Sequence, residues 1–209
     1  MPAKTFFLHI GYPKTGTSFL RKHVSNNDKY LFLGKKNKKI FFHDIFNSLI
    51  YNKNDQFFLD NLKKLDIKNK FQNLLVNSKN KDLFYSEENI LNFTPKVDIK
   101  KRLERLKIVI SELDYSNFKI LITHRDPVEL ILSNISQNNL YFMYLKNINI
   151  ENIKKDIHIK SYLNFDELKF LLEKLFIEEK ILFYDYNYFI KSNVLNLENN
   201  IISKKKIKK

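Results

Sequence analysis

The sequence predicts an α/β fold of three layers, in which a central parallel sheet is flanked by helices. Short apolar runs that are typical of strands alternate along the chain with longer segments of helical periodicity. Three of these runs end directly in polar motifs, and ligands bind beyond the carboxyl ends of the strands in such sheets. The expected strands are 5–10, 30–33, 83–86, 119–123 and 180–184, and the expected helices are 17–26, two pieces around 41–51 and 57–76, 98–114, 127–138, 166–179 and 186–197.

The length and composition favour one soluble domain. With 209 residues, of which 44% are hydrophobic, we expect a single domain over residues 1–203 and a disordered basic tail over 204–209. The lack of cysteine excludes disulfides, thiolate nucleophiles and Cys-ligated metals. No apolar run approaches the ~20 residues of a membrane span. The first predicted strand begins too soon for a signal peptide, so we expect a cytoplasmic protein.

The net charge of +14 fits anionic partners, but it does not identify them. The chain is rich in Lys, Asn and Ile and poor in Gly and Pro, and this composition explains the charge equally well. Its 19 Phe and 11 Tyr mostly follow helix and strand periodicity, which favours a place in the core. We therefore expect no nucleic-acid partner, since single-strand binding needs aromatic and basic residues on one exposed face.

The first polar motif is the segment HIGYPKTGTSFL at residues 9–20. It places a loop between the first predicted strand and a helix that we expect to begin on a Thr or Ser N-cap. Unpaired N–H groups and the helix dipole attract anions at such a junction. Lys14 adds a full charge, and Thr15, Thr17 and Ser18 add hydrogen-bond donors, which predicts a phosphate or sulfate cradle. In a Walker A loop, lysine would stand where Thr17 stands.

The second polar motif follows the predicted strand 119–123. Arg125 offers a planar fork for bidentate phosphate contact, and Ser133 lies eight residues further on. Asp126 and Pro127 between them are typical of the start of a helix. Taken alone, the motif also fits a plain helix cap beside an ion-paired surface arginine, and that alternative stays open.

Together the two motifs resemble those of the sulfotransferases that use 3′-phosphoadenosine-5′-phosphosulfate (PAPS). The stretch PKTGTS at residues 13–18 is similar to that family's 5′-phosphosulfate loop, and Arg125 and Ser133 have the spacing of its 3′-phosphate pair. The resemblance implies a P-loop-like fold with PAPS as co-substrate and no metal. It implies that the 5′-phosphosulfate is bound by Lys14 (also catalytic), Thr15, Gly16, Thr17 and Ser18, and the 3′-phosphate by Arg125 and Ser133.

The chain departs from the cytosolic sulfotransferases near its C-terminus. All three glycines, at positions 11, 16 and 34, lie early in the chain, so the Gly-rich C-terminal motif of cytosolic members is missing. Carbohydrate-type members lack that motif too, and the chain looks closer to them and to bacterial members. The resemblance thus implies a hydroxyl or amine acceptor on a carbohydrate, such as a glycan, or on a small metabolite.

Sulfuryl transfer also needs a base for the acceptor proton. Glu87 and Glu88 directly follow the third predicted strand, and a glutamate serves as base in some sulfotransferases. We expect Glu87 to be the base and Glu88 to be the next candidate, although both also fit the acidic enrichment at helix starts. His43, His9 and His124 are the remaining candidates for the base. We interpret His43 as a packed or surface residue, and His9 and His124 as structural residues or as supports for the groups that contact substrate. The histidine spacings do not fit a metal site.

Two other functions stay open at this level. An ATP-dependent P-loop phosphotransferase would use the same loop, but it would need Mg²⁺ and would ignore a 3′-phosphate. A non-catalytic nucleotide- or polyanion-binding protein would lose affinity steeply with salt. The sequence does not fix the oligomeric state.

Overall fold

The computed structural model describes residues 4–12, 15–34, 41–91, 98–136 and 164–187. Its strands are β1 (Phe6–His9), β2 (Tyr30–Phe32), β3 (Asp82–Ser86), β4 (Phe118–His124) and β5 (Ile181–Asp185). Its α-helices are α1 (Thr17–Ser25), α2 (Phe41–Asp44), α3 (Asp55–Lys64), α4 (Ile67–Asn77), α5 (Ile99–Glu112), α6 (Pro127–Ser136) and α7 (Phe165–Leu175). A π-helical segment spans Ile45–Ile50, and 3₁₀ turns span Glu88–Ile90 and Glu178–Lys180.

The strands form one parallel sheet in the order β2-β3-β1-β4-β5. At the end of β1, His9 lies opposite Ser86 of β3 and Leu121 of β4. Because the strands are parallel, all their carboxyl ends lie along one side of the sheet, which we call the carboxyl edge. The predicted α/β class is confirmed, and every motif that follows a strand lies at this edge.

Helices cover both faces of the sheet. Phe7, Phe84 and Leu121 pack on one face against Leu20 and Val24 of α1. The residues that alternate with them along the strands point to the other face, where α2 to α5 and α7 supply the main core. Burial of this apolar surface from both sides stabilises the sheet and gives the three predicted layers.

Two helical expectations need correction. The helix expected around 57–76 is two helices, because Asp66 takes a left-handed conformation (φ 46°) and ends the first one. Aspartate tolerates this region better than most residues. The piece expected around 41–51 begins as α2 and continues as the π-helical segment. Its last carbonyl groups, of Leu49 and Ile50, accept hydrogen bonds from Arg105 at 3.3 and 3.0 Å.

The N-cap expected for α1 is also wrong. The N-cap position is Gly16, with φ 83° and ψ 15°, and no side chain caps the helix there. Glycine reaches this left-handed region without a steric penalty, so the chain turns sharply from the loop into the helix.

Several expectations fall outside the described residues. They concern Pro13 and Lys14, the predicted helix 127–138 beyond Ser136, the predicted helix 186–197 beyond Asn187, and the tail 204–209. Among the helices that the structure describes, none is both long and apolar enough to cross a membrane.

Candidate active site

The phosphate-loop motif lies at the carboxyl edge, between β1 and α1. Gly16 is the N-cap of α1, so the unpaired N–H groups of the first helical turn lie at this point. The Thr17 hydroxyl is buried and has no hydrogen-bond partner within the described parts of the chain. Buried hydroxyls nearly always have a partner, so this one is available to a ligand. Ser18 beside it is exposed.

Thr15 points inward instead of towards a ligand. It is fully buried, and its hydroxyl donates to the carbonyl oxygen of Tyr12 at 2.5 Å. The Thr15 hydroxyl oxygen also lies 2.7 Å from Thr123 Oγ1. Because a hydroxyl has one proton, this side chain closes the loop on itself. We therefore expect Thr15 to contact an anion through its backbone N–H.

A buried polar cluster joins the ends of three strands below the loop. His9 Nδ1 lies 2.8 Å from Ser86 Oγ, and His9 Nε2 lies 2.9 Å from Thr123 Oγ1. Arg21 of α1 donates from Nε to Ser86 Oγ at 3.3 Å. Burial, with a smaller effect of the Arg21 charge, lowers the pKa of His9 to about 3, so its imidazole is neutral at physiological pH.

Gly11 makes this cluster possible. A Cβ atom at this position would lie 2.2 Å from Thr123 Oγ1 and 2.8 Å from His9 Nε2. Neither atom could stay in place, so only glycine lets the loop pass this close to the pair.

From the sequence, His9 is expected to be structural or to support the groups that contact substrate, whereas Ser86, Thr123 and Arg21 do not stand out. The available signal was that three apolar runs each carry a polar residue at or near the end: His9, Ser86 and Thr123. In a parallel sheet such residues become neighbours, but only the strand order shows which ones meet.

The second motif lies beside the loop. The Tyr12 N–H donates to the carbonyl oxygen of Thr123 at 3.4 Å, so the start of the loop adjoins the end of β4. Arg125 follows two residues later, and its Nε donates to Glu129 Oε2 at 2.9 Å. Its guanidinium carbon lies 4.5 Å from the centre of the Tyr186 ring.

The start of α6, just after Arg125, also has the features of an ordinary N-capped helix. Asp126 Oδ1 accepts hydrogen bonds from the backbone N–H groups of Val128 and Glu129, and Pro127 occupies the first turn. Ser133 is half-buried on the same helix. The capped helix and the ion-paired arginine are therefore both present, and Arg125 still lies at the carboxyl edge.

The two candidate bases have different surroundings. Glu87 is only 2% exposed. Its Oε1 accepts a hydrogen bond from the Asn89 N–H at 3.2 Å, and its Oε2 lies 3.5 Å from the Tyr85 hydroxyl. Burial, together with the Glu87 charge, raises the pKa of the Tyr85 phenol, which stays protonated. Glu88 is more open, with 27% of its side chain exposed, and its Oε1 lies 3.7 Å from Arg21 Nη2.

The other candidate residues are His43, His124 and Lys14. His43 is exposed on α2. His124 ends β4, where burial lowers its pKa against a smaller opposing effect of Asp185. Lys14 is not among the described residues. Within the described ranges, no three His, Asp or Glu side chains are grouped so that they could hold a metal ion.

Comparison with known proteins identifies the architecture. Neither a protein-family model nor a curated protein matches the sequence. The structure is similar to a sulfotransferase from Alicyclobacillus acidocaldarius, with 18% identity and a TM-score of 0.52 over 91% of this chain and 76% of that one. It is also similar to the sulfotransferase domain from the curacin biosynthetic pathway, with 15% identity and a TM-score of 0.54 over 92% of this chain and 71% of that one. The chain therefore has a sulfotransferase-type α/β fold, with both predicted anion-binding motifs at one edge of its parallel sheet.

Proposed function

We propose that this protein is a sulfotransferase that moves a sulfuryl group from PAPS to a hydroxyl or amine acceptor on a carbohydrate or small metabolite. One observation carries the proposal. On a sulfotransferase-type fold, the motif PKTGTS leads into a helix whose first residue, Thr17, has a buried hydroxyl without a partner in the described residues. An anionic oxygen at the helix N-terminus satisfies this hydroxyl and gains from the helix dipole.

The loop and α1 bind the 5′-phosphosulfate of the donor. Lys14 supplies the full positive charge, and Thr15 and Gly16 supply backbone N–H groups. Thr17 and Ser18 donate from their hydroxyls. Several donors converging on one anion give both affinity and a fixed orientation, which an in-line transfer requires.

Arg125 and Ser133 bind the 3′-phosphate. Stacking on Tyr186 and the contact with Glu129 hold the guanidinium in place before the donor arrives. Less side-chain freedom is then lost on binding, which favours affinity. Because Glu129 and a phosphate are both anions, they compete for the same guanidinium.

The reaction forms one bond to sulfur and breaks another. The acceptor oxygen or nitrogen bonds to sulfur, while the bond from sulfur to the 5′-phosphate oxygen breaks and adenosine 3′,5′-bisphosphate leaves. Lys14 and the N-terminus of α1 stabilise the negative charge on the departing oxygen. Glu87 takes the acceptor proton, in a carboxylate orientation that the Asn89 N–H helps to fix.

Calorimetry with adenosine 3′,5′-bisphosphate, adenosine 5′-monophosphate and ATP tests the donor assignment. We expect the bisphosphate to bind most tightly and without magnesium. Arg125→Ala should weaken its binding about tenfold or more, since charged hydrogen bonds contribute ~1.5–3 kcal/mol, and should leave monophosphate binding unchanged.

The other outcomes of this experiment contradict the proposal. Tight ATP binding that needs magnesium would indicate a phosphotransferase. Binding of every polyanion with a steep loss in salt would indicate a non-catalytic binding protein.

A further inference from the structure

The buried cluster below the loop is a single chain of hydrogen bonds with a fixed direction. It runs from Arg21 through Ser86, His9, Thr123 and Thr15 to the carbonyl oxygen of Tyr12. The four middle members are at most 3% exposed. The chain links α1, three neighbouring strands and the loop, across sequence separations of 65 to 114 residues.

The Tyr12 end of this hydrogen-bond chain sets the positions of its protons, and the Arg21 end is compatible with them. Arg21 can only donate, so Ser86 Oγ accepts from it and is free to donate its own proton to His9 Nδ1. At the other end the Tyr12 carbonyl can only accept, so the Thr15 hydroxyl donates to it. Thr15 Oγ1 then accepts from Thr123, and Thr123 Oγ1 accepts from His9 Nε2.

The Tyr12 end requires a proton on His9 Nε2, and the Arg21 end leaves the Ser86 hydroxyl able to donate to Nδ1. The Nδ1 atom of His9 then accepts and its Nε2 donates, which is the neutral Nε2–H tautomer. Every proton along the chain is then used once. An imidazolium would instead donate from both ring nitrogens. The Ser86 hydroxyl would then have no acceptor among the members of this cluster. The strong burial, which disfavours a charge on His9, agrees with this assignment.

We infer that His9, as the neutral Nε2–H tautomer, is a positioning residue. It couples Arg21, which lies beside Glu88, to the Thr15 hydroxyl that closes the phosphate loop. His9 touches neither donor nor acceptor. It holds the loop in its binding shape and holds Arg21 against the end of β3. What the loop binds rests on the proposed function, whereas the coupling itself does not.

The tautomer is tested on the unmodified protein. Long-range ¹H–¹⁵N correlation spectra distinguish a protonated Nε2 from a protonated Nδ1. We expect His9 to carry its proton on Nε2 and to remain neutral from pH 8 down to pH 6. A proton on Nδ1, or an imidazolium in that range, overturns the inference.

A pair of substitutions at Thr123 tests the coupling. Thr123→Val keeps the shape of the side chain and removes its hydroxyl. The row of hydrogen bonds is therefore interrupted next to the loop. Thr123→Ser keeps the hydroxyl. Thr123→Val should weaken binding of adenosine 3′,5′-bisphosphate about threefold to tenfold, as the loss of a neutral hydrogen bond implies, and Thr123→Ser should restore it.

Thr5→Val is the matched control. Thr5 precedes β1 at the opposite edge of the sheet, where its hydroxyl accepts from Asn117 at 3.3 Å. This variant loses a similar contact far from the loop, so we expect it to bind the bisphosphate as the wild type does. Equal weakening by Thr5→Val and Thr123→Val would mean a general effect on folding and would overturn the coupling.

Amide exchange separates this inference from the proposed function. In Thr123→Val, the backbone amides of Thr15 to Ser18 should exchange faster than in the wild type without any ligand. Unchanged exchange overturns the coupling, whatever the protein binds. If exchange rises but the wild type binds no bisphosphate, the coupling holds and the proposed function fails.

Discussion

Arg125 donates from Nε to Glu129 Oε2 at 2.9 Å, and Glu129 lies in the first turn of α6. The arginine that we propose for the 3′-phosphate therefore already binds a carboxylate. The contact orients the guanidinium, and the Tyr186 ring limits its movement from another side. A phosphate that binds Arg125 must displace this carboxylate or share the guanidinium with it. Glu129 therefore sets how tightly Arg125 can hold a ligand.

Glu129→Gln should tighten binding of adenosine 3′,5′-bisphosphate by up to about fivefold, because it removes a competing anion whose pair with Arg125 is worth ~0.2–1 kcal/mol. Affinity for adenosine 5′-monophosphate should not change. Titration calorimetry with both ligands measures the difference. Glu173→Gln on α7, which breaks another pair of the same spacing, is the control. Weaker bisphosphate binding in Glu129→Gln would mean that Glu129 serves only to orient Arg125.

Thr17→Val should separate stability from binding. The Thr17 hydroxyl is buried and unpartnered among the described residues, so its removal should leave the melting temperature unchanged or raise it. Binding of adenosine 3′,5′-bisphosphate should weaken about tenfold or more, because a hydrogen bond to a charged group is lost. Thr17→Ser, which keeps the hydroxyl, should bind like the wild type. Thermal unfolding and calorimetry on the same samples check both halves, and a stability loss without a binding loss would exclude Thr17 from the cradle.

Glu87→Gln should lower kcat by about 10²- to 10⁴-fold, the usual contribution of a general base. The glutamine oxygen can still accept the Asn89 N–H, so the fold and the donor affinity should persist. Glu88→Gln is the matched change next to it and should only loosen the contact with Arg21. Steady-state rates of sulfuryl transfer from PAPS to a panel of sugars measure the effect. The opposite ranking of the two variants would move the base to Glu88.

Stability should fall as the pH is lowered from 7 to 5. The pKa of His9 is about 3 in the folded chain and near 6.5 when unfolded, so between these values the unfolded state binds a proton that the native state excludes. This linkage removes ~2 kcal/mol from the free energy of unfolding between pH 7 and pH 5. Urea unfolding at both pH values measures it.

The His9→Gln variant should show a smaller pH dependence of stability than the wild type. We also expect this variant to be less stable than the wild type at pH 7. Thr5→Val, which changes no titratable group, should keep the wild-type dependence. If the free energy of unfolding changed with pH as steeply in His9→Gln as in the wild type, His9 would not lie in a site that excludes its charged form.

Gly16→Ala should destabilise the protein by ~1–2 kcal/mol, since φ at this position is 83° and a Cβ atom is unfavourable there. Gly16→Asn should cost less, because asparagine enters the left-handed region more readily. Chemical unfolding ranks the two variants. Equal costs would show that the backbone at residue 16 can shift to a right-handed conformation without loss.

Local patterns predicted most of the secondary structure. The run FFLH, bounded by Gly11, gives β1, and the apolar stripe of α5 lies within two residues of the expected helix. The exceptions depend on single residues. Asp66 divides α3 from α4 by taking a left-handed conformation that periodicity does not reveal. Gly16 stands at the N-cap of α1 in place of the expected hydroxyl residue, because the backbone there is left-handed, with φ 83°.

The candidate site was predictable in its residue types and only partly in its contacts. The loop before α1 and the Arg125 motif are visible because each depends on a few consecutive residues at a strand end. The environments of Glu87 and Arg125 were not visible. Glu87 is buried beside Tyr85, and Arg125 is paired with Glu129 and stacked on a tyrosine from the end of β5.

The sequence by itself determined the parallel α/β architecture and the two predicted anion-binding motifs, since strand periodicity, turn residues and helix starts are local properties of the chain. The tertiary structure alone decided which strand ends are neighbours. His9 meets Ser86 and Thr123 across 77 and 114 residues because the sheet order places β1 between β3 and β4. Hydrogen-bond direction depends on such neighbours, so the protonation state of His9 and the inward turn of Thr15 follow from the packed sheet.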